Sequence, residues 1–302
     1  MINKEKLLLR SMLFVPSYKE SFIQHGIESN ADAIILDLED SIPEQFKPIA
    51  RQNIKKFAEA GVFKDILTFV RINPIESKLL FEDLKYILHE DIDGLMLTKI
   101  YTADDMIFYD NLITQLENEN GLPDHHFAFA PLIETTSAVM DVYNIAKSTP
   151  RNVAITFGGE DFLNDLEGLH GEPPISFNYP RAAISLASRA AGILPIDTPY
   201  LAINDYEGFE KEELISFEMG FAGCLLIHPK QISLSNKCFT PNEGEILRSI
   251  EIVNAVEKSK AEGSGVAVLG KKMIGPPMEK RARKVLELIS LVKEKENKNA
   301  KL

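Results

Sequence analysis

Cysteine is scarce in this sequence. The chain of 302 residues contains only Cys224 and Cys238, and their spacing matches neither a zinc site nor a CxxC redox motif. We therefore expect two unreactive thiols in a reducing compartment.

Long apolar runs and a secretion signal are also missing. No apolar run approaches the about 18–20 residues that a membrane-spanning helix needs. The first segment, MINKEKLLLRSMLFVP, carries charges on both sides of a short apolar run and has no small-residue cleavage site. These absences predict a soluble, cytoplasmic protein with no membrane partner.

Positive charge is in deficit. The chain has 33 Lys and Arg against 45 Asp and Glu, a net charge of −12. A surface that binds nucleic acid needs a basic excess, so the net charge argues against nucleic acid as the main partner. The apolar fraction of 45% still allows a sizeable core.

What the sequence does contain is a regular alternation of short apolar segments with helical ones. The predicted strands are residues 12–16, 32–40, 66–73, 94–99, 127–133, 152–157, 199–203 and 224–228. Their mean repeat of about 30 residues is the length of one βα unit. Eight units predict a (βα)8 TIM barrel over residues 1–240, with a helical extension over 241–302. An open doubly wound sheet is the alternative, weakened because no GxGxxG follows the first strand.

Polar residues collect where these strands end, which in a barrel is the active-site face. They are Asp37, Glu39, Asp40, Arg71, Asn73, Lys99, Glu134, Glu160, Asp161 and His228, with Arg10 just before the first strand. This is more charge than a purely structural core would leave unpaired.

Glu134 and Asp161 follow consecutive strands and are predicted to bind one divalent ion. Mg²⁺, with Mn²⁺ as the alternative, takes carboxylate oxygens and commonly uses only one or two of them from the protein. Zinc fits poorly, because these two strands have no His or Cys. The competing interpretation is that each acid caps the helix that follows it.

Arg71 is predicted to bind a substrate carboxylate through its planar guanidinium. Its alternative role is an ion pair with Asp37 or Glu39. Arg10 is a second candidate for substrate binding. Strand alternation would place Asp37 and Glu39 on one face and Asp40 on the other, so some of these acids would hold arginines or cap a helix.

Two further strand-end residues have open roles. His228 is either a packed hydrogen-bonding residue or a catalytic one. Lys99 could form a Schiff base with a carbonyl substrate, although a metal pair would make that redundant.

Seven segments resemble, in order, the blocks of the citrate lyase β-subunit-like family, the CoA-thioester branch of the HpcH/HpaI aldolases: RSMLFVPS, DAIILDLEDSIP, VRINP, PLIETTSAV, FGGEDFLNDL, RAAISLASRAAGILPIDTPY and GFAGCLLIHPKQI. The resemblance covers roughly residues 10–280. It implies a TIM barrel that assembles as a homotrimer or hexamer and binds Mg²⁺. It also implies cleavage or formation of a C–C bond in 3-hydroxy-acyl thioesters such as citryl-, malyl- or citramalyl-CoA, with acyl carrier protein as another carrier.

By the same resemblance, Glu134 of PLIET and Asp161 of GGED are metal ligands, and Arg71 of VRIN grips the carboxylate of a small keto acid. Phe14 and His228 lie where the family contacts substrate or CoA. The resemblance leaves the proton acceptor open, and the candidates are Glu39, Asp40 and a metal-bound water.

One departure from the family concerns catalysis. The family's C-terminal segment usually reads DGKMID, and its last Asp reaches into a neighbouring subunit's barrel as a general acid or base. This chain has Gly275 there, in GKKMIGPP. The leading prediction is an Mg²⁺-dependent lyase. The alternatives are a thioester hydrolase or free-acid aldolase, and a non-catalytic protein that binds keto acids or CoA thioesters.

Overall fold

A computed structural model describes residues 2–169, 171, 174–263 and 266–299. Contacts divide the chain after Phe239 into a larger amino-terminal unit and a smaller carboxyl-terminal one. The sequence placed this boundary between residues 240 and 241. The two units are described separately below.

The amino-terminal unit is a closed barrel in which, within the described residues, eight parallel strands pair in sequence order and β8 pairs with β1. Its strands are β1 (Ser11–Pro16), β2 (Ala33–Asp37), β3 (Leu67–Ile72), β4 (Gly94–Leu97), β5 (Ala128–Ile133), β6 (Ala154–Phe157), β7 (Leu194–Asp197) and β8 (Gly223–Leu226). The predicted TIM barrel is confirmed.

Helices follow the strands and cover the outside of the barrel. They are α1 (Glu20–Ile27), α2 (Lys47–Glu59), α3 (Leu80–Ile87), α4 (Ala103–Glu119), α5 (Thr136–Lys147), α6 (Gly159–Asp165), α7 (Asn178–Ala191), α8 (Tyr206–Glu218) and α9 (Ile232–Cys238). Short 3₁₀ turns occur at Lys4–Lys6, Glu44–Phe46, Ile75–Ser77, Ile175–Phe177 and Pro229–Gln231.

The strands are apolar on both faces because alternate residues serve two cores. Met12, Phe69 and Met96 belong to the cluster that fills the barrel. Their neighbours Leu13 and Val70 belong to the larger cluster between strands and helices. The continuous apolar runs that marked these strands in the sequence follow from this double burial.

The seventh strand was predicted in the wrong place. It is Leu194–Asp197, whereas 199–203 is irregular. The strand contains Pro195, which lacks a backbone N–H and is uncommon inside a strand. In the structure α7 ends at Ala191 and is capped by Gly192, which adopts a left-handed φ of 75°. The chain enters the strand two residues after this glycine.

The carboxyl-terminal unit consists of α10 (Glu243–Ala261), an antiparallel hairpin of β9 (Ala267–Leu269) and β10 (Lys272–Ile274), and α11 (Pro276–Asn299). Ile252 and Val256 of α10 share a small apolar core with Ala267, Ile274 and Ala282. None of the helices in the described part of the chain combines the length and apolar character needed to cross a bilayer.

Candidate metal centre

Glu134 and Asp161 meet at the carboxyl end of the barrel. Glu134 directly follows β5, and Asp161 lies in the first turn of α6, just after β6. Because β5 and β6 are hydrogen-bonded neighbours, with Ile133 opposite Phe157, the two carboxyl groups lie close enough to interact with each other and to contact the same ammonium group. The structure thus places both acids where a single ion can touch them.

A lysine lies between the two acids. Lys99 follows β4, and its Nζ is 2.6 Å from Asp161 Oδ2 and 3.4 Å from Glu134 Oε1. Its backbone N–H also donates to Glu134 Oε1 at 2.7 Å. The residue has a φ of 52°, a left-handed conformation that is uncommon for a non-glycine residue and recurs at functional sites.

The two carboxyl groups differ in their affinity for a proton. Burial raises the pKa of Glu134 to about 7, against the opposing charge of Lys99. Asp161 is less buried, and although its partial burial acts in the other direction, hydrogen bonds with Lys99 and Glu134 lower its pKa. The pair therefore carries less than two full negative charges near neutral pH in the absence of an ion.

Gly158 makes room for Glu134. A Cβ atom at this position would lie 2.7 Å from Glu134 Cβ and 3.3 Å from Glu134 Oε2, too close for the carboxylate to keep its place. Gly158 of GGED thus lets the backbone approach the acid side chain. From the sequence pattern alone, this role cannot be told apart from the approach of a ligand to the backbone.

The residues fit a hard divalent cation. Two adjacent carboxylates suit Mg²⁺, which keeps several water or substrate oxygens in its coordination sphere. Among the described residues no group of three or more His, Cys, Asp or Glu could hold a metal.

Arg71 is anchored beside this pair. Its Nε and Nη2 donate to Asp37 at 2.7 and 2.6 Å, because Arg71 and Asp37 are register partners on β3 and β2. The guanidinium lies over the Phe14 ring, 4.6 Å from its centroid. It is close enough to Asp161 to help lower the pKa of that acid. Arg71 therefore forms the ion pair that was the alternative to substrate binding, and it also lies near Asp161.

Glu39 and Asp40 both turn toward Arg71, contrary to the alternation expected of an extended strand. Their carboxyl oxygens are 3.3 and 3.8 Å from Arg71 Nη1, because β2 ends at Asp37 and the following residues form a turn. Asp37 holds this turn by accepting the backbone N–H of Glu39 at 2.9 Å.

Glu39 and Asp40 differ in environment. The Asp40 side chain is 65% exposed and that of Glu39 only 8%. Burial raises the pKa of Glu39 to about 8, with Arg71 opposing and the charges of Asp40 and Asp37 reinforcing the shift. Glu39 can therefore exchange a proton close to neutral pH.

Arg10 is a correction to the sequence interpretation. It precedes β1, at the amino end of the barrel, where its Nε and Nη2 donate to Asp32 at 2.9 and 3.0 Å. Both groups of this pair are buried. Arg10 therefore lies at the opposite end of the barrel from Glu134 and does not belong to the site.

His228 follows β8 at the active-site end of the barrel. Its Nδ1 accepts the backbone N–H of Lys230 at 3.1 Å and so caps the 3₁₀ turn Pro229–Gln231. This is the packed, hydrogen-bonding role that the sequence left open, and a contact of His228 with substrate stays a prediction.

Sequence reasoning missed two features of the site: Lys99 as the bridge between the acids, and Phe14 as the ring under Arg71. The only sequence signal for the role of Lys99 was its position directly after a strand. The second depends on the pairing of β1 with β2 and of β2 with β3.

The closed parallel barrel belongs to the TIM-barrel class, and its carboxylates and arginine lie at the carboxyl end, where TIM-barrel enzymes carry their active sites. The HpcH/HpaI aldolase/citrate lyase model matches residues 10–229. The chain belongs to this family, as its motifs predicted.

Two relatives span nearly the whole chain. The citrate lyase subunit beta of Haemophilus influenzae is 32% identical over 280 residues, which are 93% of this chain and 96% of that protein. The L-malyl-CoA/beta-methylmalyl-CoA lyase of Rhodobacter capsulatus is 31% identical over an alignment of 306 residues. The alignment covers 95% of this chain and 96% of that protein. Both are carbon–carbon lyases, and the predicted enzyme class is confirmed.

Two solved structures share the fold. CitE from Mycobacterium tuberculosis, in complex with magnesium, acetoacetate and coenzyme A, has a TM-score of 0.73 and 25% identity, over 93% of this chain and 98% of that one. RipC from Yersinia pestis has a TM-score of 0.65 and 28% identity, over 81% of this chain and 100% of that one.

Proposed function

We propose that this protein is an Mg²⁺-dependent lyase that cleaves the C–C bond of a 3-hydroxy-acyl thioester and releases a small keto acid. The observation that carries this proposal is the meeting of Glu134 and Asp161 beside Arg71 at the carboxyl end of the barrel. The M. tuberculosis CitE complex with magnesium and coenzyme A supports the choice of ion and carrier.

Glu134 and Asp161 would hold the ion, which when bound polarises carbonyl oxygens and offsets negative charge that develops in the reaction. Arg71 would orient the substrate carboxylate. Two of its nitrogens are occupied by Asp37, so the Nη1 edge, now facing Glu39, is the edge left for the substrate. Phe14 fixes the guanidinium plane from below.

Glu39 would accept the proton of the substrate hydroxyl. Loss of this proton turns the carbinol carbon into the carbonyl of the keto acid as the C–C bond breaks, and the electron pair of that bond passes to the thioester as an enolate. The enolate carbon then needs a proton to become the acyl thioester. The family's usual donor for such a transfer is absent, because residue 275 is glycine.

The direct test is keto-acid release. The protein with Mg²⁺ is incubated with malyl-, citramalyl- and citryl-CoA, and glyoxylate, pyruvate and oxaloacetate are measured. Release that stops on chelation supports a lyase. Free thiol without a keto acid would instead identify a thioester hydrolase, and cleavage of the free hydroxy acid would identify an aldolase.

The same assay on acyl-carrier-protein thioesters distinguishes the two thioester carriers, coenzyme A and acyl carrier protein. Analytical sedimentation measures whether the protein forms the proposed trimer or hexamer.

Replacing Glu39 by glutamine is expected to lower kcat/KM by about 10²-fold, because proton transfer to a positioned group contributes that much or more. In the wild type kcat/KM should rise with pH through about 8, where Glu39 loses its proton. Glu39→Gln should remove this rise, whereas Asp40→Asn, at an exposed carboxyl, should keep it. A pH profile unchanged in Glu39→Gln would rule out this base.

Gly275 favours a second candidate, a protein that binds keto acids or CoA thioesters without turnover. Among the described residues, a Cβ at Gly275 would meet only Pro277 Cδ, at 3.7 Å, so these neighbours leave room for a side chain there. If a missing acid limits the rate, Gly275→Asp should raise kcat by about 10²-fold, with Gly275→Asn as the uncharged control. Wild-type turnover that neither variant increases would show that Gly275 is no defect.

A further inference from the structure

Among the described residues, Lys99 is the only one whose ammonium group contacts both candidate metal ligands. Nζ approaches Asp161 Oδ2 at 2.6 Å and Glu134 Oε1 at 3.4 Å, while the backbone N–H of the same residue binds Glu134 Oε1. The side chain is 30% exposed, so it comes in from the open side of the site, from which a hydrated ion must also arrive.

We propose that Lys99 is an internal counter-cation, which holds Glu134 and Asp161 together in the metal-free protein and is displaced from them when the divalent ion binds. This inference rests on the proposed function, because it assigns the ion to the same two acids. It makes Lys99 a positioning residue that sets the affinity of the site.

Geometry requires the displacement. Mg²⁺ binds oxygen at about 2.0–2.1 Å, so an ion shared by the two acids takes the space between the oxygens that Nζ now contacts. An ammonium left beside the ion would also face strong repulsion in a partly buried site.

The backbone allows the side chain to leave without disturbing the site. The Lys99 N–H keeps its 2.7 Å hydrogen bond to Glu134, so the left-handed residue stays in place. The side chain is a flexible four-carbon stem and is 30% exposed. The displaced Nζ can therefore turn toward solvent.

The test is calorimetric titration of the full-length protein with Mg²⁺. Wild type is compared with Lys99→Met, which keeps the stem and removes the charge, and with Lys99→Arg, which keeps the charge. Because Mg²⁺ no longer competes with a cation, Lys99→Met should bind it about tenfold or more tightly. Lys99→Arg should bind Mg²⁺ no more tightly than the wild type.

Thermal unfolding supplies a second measurement that does not depend on catalysis. Without Mg²⁺, Lys99→Met should unfold about 3–6 °C below the wild type, because two adjacent acids have lost their compensating charge. Saturating Mg²⁺ should remove most of that difference. A variant that folds only with Mg²⁺ would support the proposal, whereas one that is equally destabilised with and without Mg²⁺ would overturn it.

The outcomes separate the two proposals. If the wild type binds no Mg²⁺ in the titration, the proposed function fails. If the wild type binds Mg²⁺ but Lys99→Met binds it equally or more weakly, Lys99 supports the bound ion and the counter-cation inference fails while the proposed function stands. A crystal structure with Mg²⁺ should show Nζ beyond hydrogen-bonding distance of Asp161.

Discussion

Replacing Glu134 by glutamine is expected to abolish Mg²⁺ binding and to lower kcat by about 10³-fold or more, since stabilisation by a bound ion is worth several kcal/mol and each 1.4 kcal/mol is about tenfold. Glutamine keeps the size of the side chain and its acceptor oxygen for the Lys99 N–H, so the fold should survive. Calorimetric titration with Mg²⁺ and the keto-acid assay measure the two effects.

Asp161→Asn should behave in the same way, because the two acids are proposed to act on one ion. The matched control is Asp165→Asn, in the same helix, where the carboxylate accepts from Thr136 at 2.7 Å and caps α5. That variant should keep its affinity for Mg²⁺. Wild-type affinity in both Glu134→Gln and Asp161→Asn would remove the basis of the metal assignment.

Replacing Arg151 by methionine is expected to reduce the free energy of unfolding by about 3–5 kcal/mol, because it leaves buried charge without a partner. The Arg151 side chain is fully buried and binds Asp110 at 2.5 Å and Glu117 at 2.6 Å. Glu117 is equally buried and would face the core uncompensated. Chemical denaturation monitored by circular dichroism measures the loss.

An exposed ion pair provides the comparison. Lys56 and Glu20 approach to 2.7 Å with side chains 63% and 52% exposed, and exposed pairs contribute about 1 kcal/mol or less. Lys56→Met should therefore change stability little. A similar small loss in Arg151→Met would mean that Glu117 is solvated or protonated once its partner is gone.

These two predictions concern opposite ends of the barrel. Arg151 binds the backbone carbonyl of Phe127, which precedes β5, and Arg10 binds Asp32, which precedes β2. Both pairs lie at the amino end, which in barrels serves stability, while Glu134 and Asp161 lie at the carboxyl end, where TIM-barrel active sites form. Arg10 was assigned to the site because it is adjacent to a strand. A residue that precedes its strand, however, lies at the amino end of the barrel, and only a residue that follows its strand lies at the carboxyl end.

The acids after β2 illustrate the limit of pattern reasoning. The sequence marked Asp37, Glu39 and Asp40 as strand-end acids, but alternation along an extended strand was the wrong guide to their faces. The strand stops at Asp37, whose carboxylate binds Arg71 and the turn behind it. Only the resulting turn brings Glu39 into a buried position where its pKa rises to about 8.

The repeat of apolar segments was enough to establish the barrel, because strands buried on both faces leave continuous apolar runs that survive local errors such as the misplaced β7. The motifs were enough to establish the family and to single out Glu134, Asp161 and Arg71. The sequence could not predict distances between groups that are far apart in the chain. The Lys99 ammonium contacts both Glu134 and Asp161 because β4, β5 and β6 are neighbours in a closed sheet. Folding is what converts three separate strand ends into one charged site.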